Sequence, residues 1–334
     1  MPCARHIFLL LGSLFVILLS PPAALAQTKL RVGYSSVSAG QSVIWVTKEA
    51  GLFQKNGLDV ELLFVPSASL MTQALIGQSL PLAITSGATA IEGQINGHDL
   101  VILAMLKKTP ALTYIVGSKH ITKPDQLKGK KLGISRFGSV SDFLLRVALR
   151  ELNIDATKEV TILQIGGTPL RTAALQAGSI DATLLTPEEK VSAERFGINV
   201  LFDLRELGLE FFTNDLVTTR AFLKQEREAT RRFVKALVEG IHYYKTHKTE
   251  SLDIMAKYMR TTDRKIIEVG YNFNAAEYGP KPYPSPKAGQ LALEEIARRN
   301  PKANEVKVDQ FFDSSFLKEL DSAGHIDNLY KQRS

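Results

Sequence analysis

Between Lys130 and Leu152 the chain passes from KLGIS, a short apolar strand, through the polar turn RFGSVSD into FLLRVALREL. In that last piece Phe143, Leu144, Val147, Ala148 and Leu152 share one helical face. Ser139, Ser141 or Asp142 can cap it. A strand that enters a helix through so small a turn leaves backbone N–H groups free at the helix start, where an anion is favoured. Arg136 adds a fork of donors suited to a carboxylate, sulfonate or phosphate. The same residues also describe a plain connection with a solvated arginine.

The alternation of strand and helix extends along most of the chain. KLRVGYSS, LDVELLFVP, LPLAITSG, LVILAML and LTYIVGS read as strands, with helices at SVIWVTKEAGLF, SASLMTQALIGQ and ATAIEGQING. The pattern then restarts with KKLGIS, EVTILQIG, IDATLLT and INVLFDL, separated by FLLRVALREL, TPLRTAALQAG and PEEKVSAERFG. Short connections between such elements build right-handed βαβ units. The fold class is therefore α/β, with two lobes, each a mostly parallel sheet flanked by helices. Beyond TNDLVTTRAF the composition turns to helices over Gln225–His247, Ser251–Met259 and Arg264–Tyr271, then GQLALEEIARRN and SSFLKELDSAG. Pro280, Pro282, Pro284 and Pro286 forbid a helix through GPKPYPSP.

The first 26 residues read as a cleavable signal peptide. Arg5 precedes an apolar run, Ile7 to Leu19, that is short for a membrane span, and Ala24-Leu25-Ala26 fits a cleavage site before Gln27. The only cysteine, Cys3, lies in this segment, so residues 27–334 contain no thiol, disulfide or lipid-attachment cysteine. That part carries 40 lysines and arginines against 34 acidic residues, a net charge of +6. The positive residues are interspersed with acids rather than gathered in an aromatic-laced stripe, which disfavours nucleic acid. Catalytic and metal signatures are missing: His242 and His247 are five apart, and no CxxC, GxSxG or GxGxxG occurs. No cofactor or metal is expected, and the protein is not expected to be an enzyme.

In open α/β sheets a ligand lies beyond the carboxyl ends of the strands. Several strands here end in small polar turns: Ser35-Ser36, Ser67-Ala68-Ser69, Thr85-Ser86-Gly87, Ser135 to Ser141, Gly166-Gly167-Thr168 and Thr186-Pro187-Glu188. Hydroxyls and helix starts recurring in both sets favour a binding function, although caps and turns use the same residues.

The sequence resembles the periplasmic substrate-binding proteins of ABC importers of the nitrate/sulfonate/taurine type. The matching segments are LRVGYSS, W-x-x-KEAGLFQKNGLDVEL, SGATAIEGQINGHDLVIL, KPDQLKGKKLGISRFGSVSDFLLRVALRELNID, LRTAALQAGSIDATLLTPEE and RRFVKALVEGIHYYKTH. The resemblance implies a type II binding-protein fold: residues 27–116 begin lobe one, 117–213 form lobe two, and 214–334 return to lobe one. The hinge would lie near Ile115–Ser118 and Asn214–Thr219. It further implies a monomeric periplasmic protein that closes on a small-molecule ligand and delivers it to an inner-membrane permease. Carried over by position, Ser35, Ser36, Ser69, Ser86, Arg136, Phe137, Ser139, Ser141, Thr186 and Glu188 would bind the ligand. Arg136 would pair an acid group and Phe137 stack on an aromatic or alkyl part. Glu188 would repel a simple anion, so it would cap its helix or bind an amine or hydroxyl. Two other roles suit such a fold: an enzyme of the thiamine-pyrimidine or menaquinone type, and a ligand-loaded partner of a sensor receptor.

Overall fold

A computed structural model describes residues 27–331. The signal-peptide expectation for residues 1–26, Cys3 included, lies outside the described residues. The strands are β1 (Thr28–Tyr34), β2 (Leu58–Phe64), β3 (Leu82–Thr85), β4 (Leu100–Met105), β5 (Tyr114–Gly117), β6 (Lys131–Ile134), β7 (Thr161–Gln164), β8 (Ala182–Leu185), β9 (Asn199–Asp203) and β10 (Asp215–Thr219). The first half of the chain supplies helices α1 (Ser42–Glu49), α2 (Leu52–Lys55), α3 (Ala68–Ile76), α4 (Gly87–Ile95), α5 (Val140–Glu151), α6 (Thr168–Gln176) and α7 (Pro187–Ala193). The C-terminal part adds α8 (Arg220–Gln225), α9 (Arg227–Thr246), α10 (Lys248–Met259), α11 (Arg264–Glu277), α12 (Pro286–Ala297), α13 (Ser315–Ser322) and α14 (His325–Lys331).

Two five-stranded sheets result, ordered β2-β1-β3-β10-β4 and β7-β6-β8-β5-β9. Each is parallel apart from one strand: β10 runs antiparallel to β3 and β4, and β5 to β8 and β9. In each case the reversed strand is the one that follows a passage of the chain from one sheet to the other. We call each sheet with its helices a lobe.

The expected crossings near Ile115–Ser118 and Asn214–Thr219 fall largely within strands β5 and β10, while the expected boundary at 213/214 falls at the end of the return passage. β5 lies wholly in the second sheet, with Ile115 and Val116 fully buried and ladder partners on both edges. A strand hydrogen-bonded on both sides is held too firmly to serve as a crossing, so the chain changes lobe earlier, over residues 106–113. It returns over residues 204–214, and β10 is an inner strand of the first sheet. The passages run side by side: the amide of Leu106 donates to the Asn214 carbonyl at 3.3 Å, and that of Phe211 to the Lys108 carbonyl at 2.9 Å.

One apolar core joins the first sheet to the C-terminal helices. Trp45 is fully buried on α1 and stacks on Tyr258 of α10, with ring centroids 5.0 Å apart. Phe53 of α2 stacks on Phe233 of α9 at 4.9 Å. Burying side chains of this size against one another is the main stabilising contribution a lobe of this kind has. α11 is longer than the expected Arg264–Tyr271 helix and packs on α7, so the C-terminal helices of lobe one also touch lobe two. Among the described residues no helix is long and apolar enough to cross a membrane.

Candidate functional site

The turns at the carboxyl ends of β1, β2, β6, β7 and β8 converge with both passages around a cavity of about 290 Å³ between the lobes. Lobe one contributes Ser35, Ser36 and Ser38, then Ser67 at the start of α3. Lobe two contributes Ser135, Ser139 and Ser141 before and within the first turn of α5, then Thr168 and Arg171 of α6. Thr186 and Glu189 enter from the start of α7, and Leu112, Thr213 and Asn214 from the passages. Apolar side chains complete the wall. Two of them, Phe64 of lobe one and Leu170 of lobe two, are exposed.

Five of the expected residues line this cavity: Ser35, Ser36, Ser139, Ser141 and Thr186. Ser135, Ser139 and Ser141 form a closed triangle of hydroxyls 2.7, 2.9 and 3.0 Å apart, and the amide of Ser135 donates to Ser141 Oγ at 2.8 Å. Three hydroxyls that donate to one another present mainly lone pairs outward, so a ligand donor meets ready acceptors there.

The other five stand elsewhere. Ser86 is fully buried and its hydroxyl donates to the Phe212 carbonyl at 2.9 Å. Ser69 lies one residue past the wall, with Oγ 3.3 Å from that of Ser67. Arg136 and Phe137 are exposed and outside the lining. The turn holding them is tied back by the Phe137 amide, which donates to Gln164 Oε1 at 2.8 Å. Glu188 is buried and points at the other lobe, where its Oε1 accepts the amide N–H of Ala39 at 3.0 Å.

The cation in the wall is Arg171. It is 2% exposed and makes four hydrogen bonds, all to neutral acceptors: Thr183 Oγ1 at 3.0 Å, the Gly166 carbonyl at 3.0 Å, Thr168 Oγ1 at 2.9 Å and the Leu184 carbonyl at 3.2 Å. Among the described residues no carboxylate lies within ion-pair distance of it. Burial pushes its guanidinium down to about 10, opposed by the charge of Glu189. Glu189 in turn is pushed up to about 7, first by burial and then by Glu188. The Thr186 amide, which donates to Glu189 Oε2 at 3.0 Å, and Arg171 pull the other way. A sequence signal for Arg171 existed. It is four residues before the buried Leu175, so it occupies the core-facing register of α6 where an arginine is costly without a purpose.

A second buried cation belongs to the first passage. Lys107 Nζ donates to Asn274 Oδ1 at 2.7 Å, and burial lowers its ammonium to about 8 against the charges of Glu188, Glu277 and Asp215. Among the described residues no group of three or more His, Cys, Asp or Glu is placed to hold a metal ion.

A family model described as NMT1/THI5 like matches residues 40–251, a span that includes walls from both lobes. The chain belongs to the NMT1/THI5-like family. Among relatives, "Putative binding protein YtlA" of Bacillus subtilis (strain 168) is 23% identical over 296 residues, which are 85% of this chain and 88% of that protein. "Putative thiamine biosynthesis protein" of Haemophilus influenzae is 23% identical over 231 residues, 66% of this chain and 70% of that one. Among solved structures, the periplasmic aliphatic sulphonate binding protein SsuA from Escherichia coli superposes with a TM-score of 0.68 at 22% identity, covering 87% of this chain and 99% of that one. The resemblance read from the sequence therefore holds for family and fold: the chain is NMT1/THI5-like and has the two-lobed periplasmic-binding-protein architecture.

Proposed function

We propose that the protein captures a small acid-bearing organic molecule between its lobes in the periplasm and hands it to the permease of an ABC importer. The observation that carries the ligand class is Arg171, a buried cation in the cavity wall whose hydrogen bonds all go to neutral groups. A buried charge is stabilised by an opposite one, and an acid group delivered by the ligand supplies it. Ser35, Ser36 and Thr186 offer hydroxyls to that acid, while the Ser135–Ser139–Ser141 triangle offers acceptors to a donor elsewhere on the ligand. Closure about the paired passages completes the site, with ligand shifting the equilibrium toward the closed form.

The test is a thermal-shift screen of residues 27–334 against sulfonates, carboxylates, aromatic acids, amines and pyrimidines. Ligands that bind only the native state raise the melting temperature by mass action. An acid class is expected to give the selective rise, and Arg171→Gln to abolish it. Arg136→Ala, at an exposed position outside the cavity, is expected to leave it intact. A rise with amines alone, or with no class once mass spectrometry shows no resident ligand, refutes the assignment.

A further inference from the structure

The cavity wall away from Arg171 holds a second recognition element. Gln41, in the helical turn before α1, donates from Nε2 to Asn214 Oδ1 of the return passage at 2.8 Å. Both residues line the cavity and are almost fully buried, at 1% and 4% exposure. That bond spends one donor and one acceptor. Gln41 Oε1 and Asn214 Nδ2 are left without a hydrogen-bond partner among the described residues, as is the hydroxyl of the adjacent cavity residue Thr213. Gly40 keeps Asn214 close: a Cβ there would stand 2.7 Å from Asn214 Nδ2.

Turning both amides over reverses the bond and leaves Gln41 Nε2 and Asn214 Oδ1 free instead. In either orientation the pair retains one unspent donor and one unspent acceptor. Buried polar groups in native proteins nearly always find partners, and in a binding wall a bound ligand can supply them. A nitrate, or the head of a simple sulfonate, offers acceptors only and would face the free carbonyl oxygen with like charge. A group carrying an N–H beside a carbonyl satisfies both atoms together.

The geometry points to a bifunctional ligand: a small acid that also carries a carboxamide, urea or lactam face read by Gln41 and Asn214. This rests on the reading of the cavity as an acid site and adds the second functional group. Discrimination of this kind is characteristic of sites with buried polar groups, because an analogue lacking the partner leaves them unpaired.

Matched probes test it by calorimetry on residues 27–334. Succinamate carries acid and amide. Levulinate is nearly the same size and replaces the amide nitrogen with a methyl group. N-acetylglycine and 3-ureidopropionate extend the amide series, and butyrate extends the plain acids. The expected result is at least tenfold tighter binding of the amide acids than of levulinate or butyrate. That margin should collapse in Gln41→Met, whose melting temperature reports whether it has folded. Equal affinity of the two series for the wild-type protein overturns the amide assignment and leaves the acid reading standing. No binding by any acid, with Arg171→Gln indistinguishable from wild type in the broader screen, overturns both.

Discussion

Glu188→Ala isolates one bond that joins the lobes. The Glu188 carboxylate on α7 of lobe two accepts the Ala39 amide of lobe one at 3.0 Å, with Glu188 buried. The two atoms meet only when the lobes are together. A hydrogen bond to a charged group contributes about 1.5–3 kcal/mol, so its removal should move the ratio of closed to open molecules toward open by about 10- to 150-fold. Where the ligand-free protein is mainly open, the apparent dissociation constant rises by the same factor, because only the closed fraction binds tightly. Glu188→Gln keeps a neutral acceptor of nearly the same shape and should cost less, since a neutral bond retains about 0.5–1.5 kcal/mol. Small-angle scattering of the free protein and titration with the best ligand from the screen give the two readouts. A third is independent of ligand: Glu188 is the foremost charge offsetting burial at Lys107, so that ammonium should titrate below its present value of about 8. An unchanged radius of gyration together with an unchanged dissociation constant would refute the latch.

Three further outcomes are expected. Glu189 holds its proton up to about pH 7; below that the wall carries the uncompensated charge of Arg171, and above it the carboxylate offsets that charge. Affinity for an acid ligand should therefore fall as pH rises through 7 and become flat in Glu189→Gln. The same group makes the folded chain keep a proton that the unfolded chain releases nearer 4.5, so its contribution to stability declines between those values, as a comparison of melting temperatures with Glu189→Gln across that range would register. Gly240→Ala should destabilise the protein, because a Cβ there collides with Thr47 Oγ1, pinned by its own bond to the Val43 carbonyl at 2.6 Å. Overpacking of this kind costs about 1–3 kcal/mol, against about 1 kcal/mol gained in helix propensity. A higher melting temperature would show that α1 and α9 yield at that contact.

The two α/β sets were legible because the hydrophobic period switches between two and 3.6 residues along the chain, and that switch depends on local sequence alone. The lobe boundary was less so. LTYIVGS reads as extended in either role, and only its pairing with β8 and β9 shows that Tyr114–Gly117 is a sheet strand and not a crossing. The site was legible as a set of turns and not as a set of side chains. Glu188 and Glu189 are neighbours in the first turn of α7, and successive helical residues point about 100° apart. One therefore faces Ala39 and the other the cavity. Arg136 was conspicuous in a glycine-bearing turn, yet the backbone of that turn directs it to solvent. Arg171 carried a signal only in its register with Leu175 on α6. Its burial depends on Thr183 and Leu184, which reach it from β8.

The position of β10 bears on the order in which the molecule can assemble. Lobe two's strands, β5 to β9, lie in one continuous stretch from Tyr114 to Asp203. Its contacts are comparatively local, which favours rapid folding. The first sheet has no such independence: β10 lies between β3 and β4, so those strands have no ladder to each other until Asp215–Thr219 arrives. Bringing Met105 and Asp215 together closes a loop of roughly a hundred residues, at an entropic cost that grows only logarithmically with its length. A lobe two that is already compact shortens that loop to its two passages. Amide protection in the second sheet should consequently precede protection in β3, β4 and β10, and the earlier lobe would act as the template on which the other is completed.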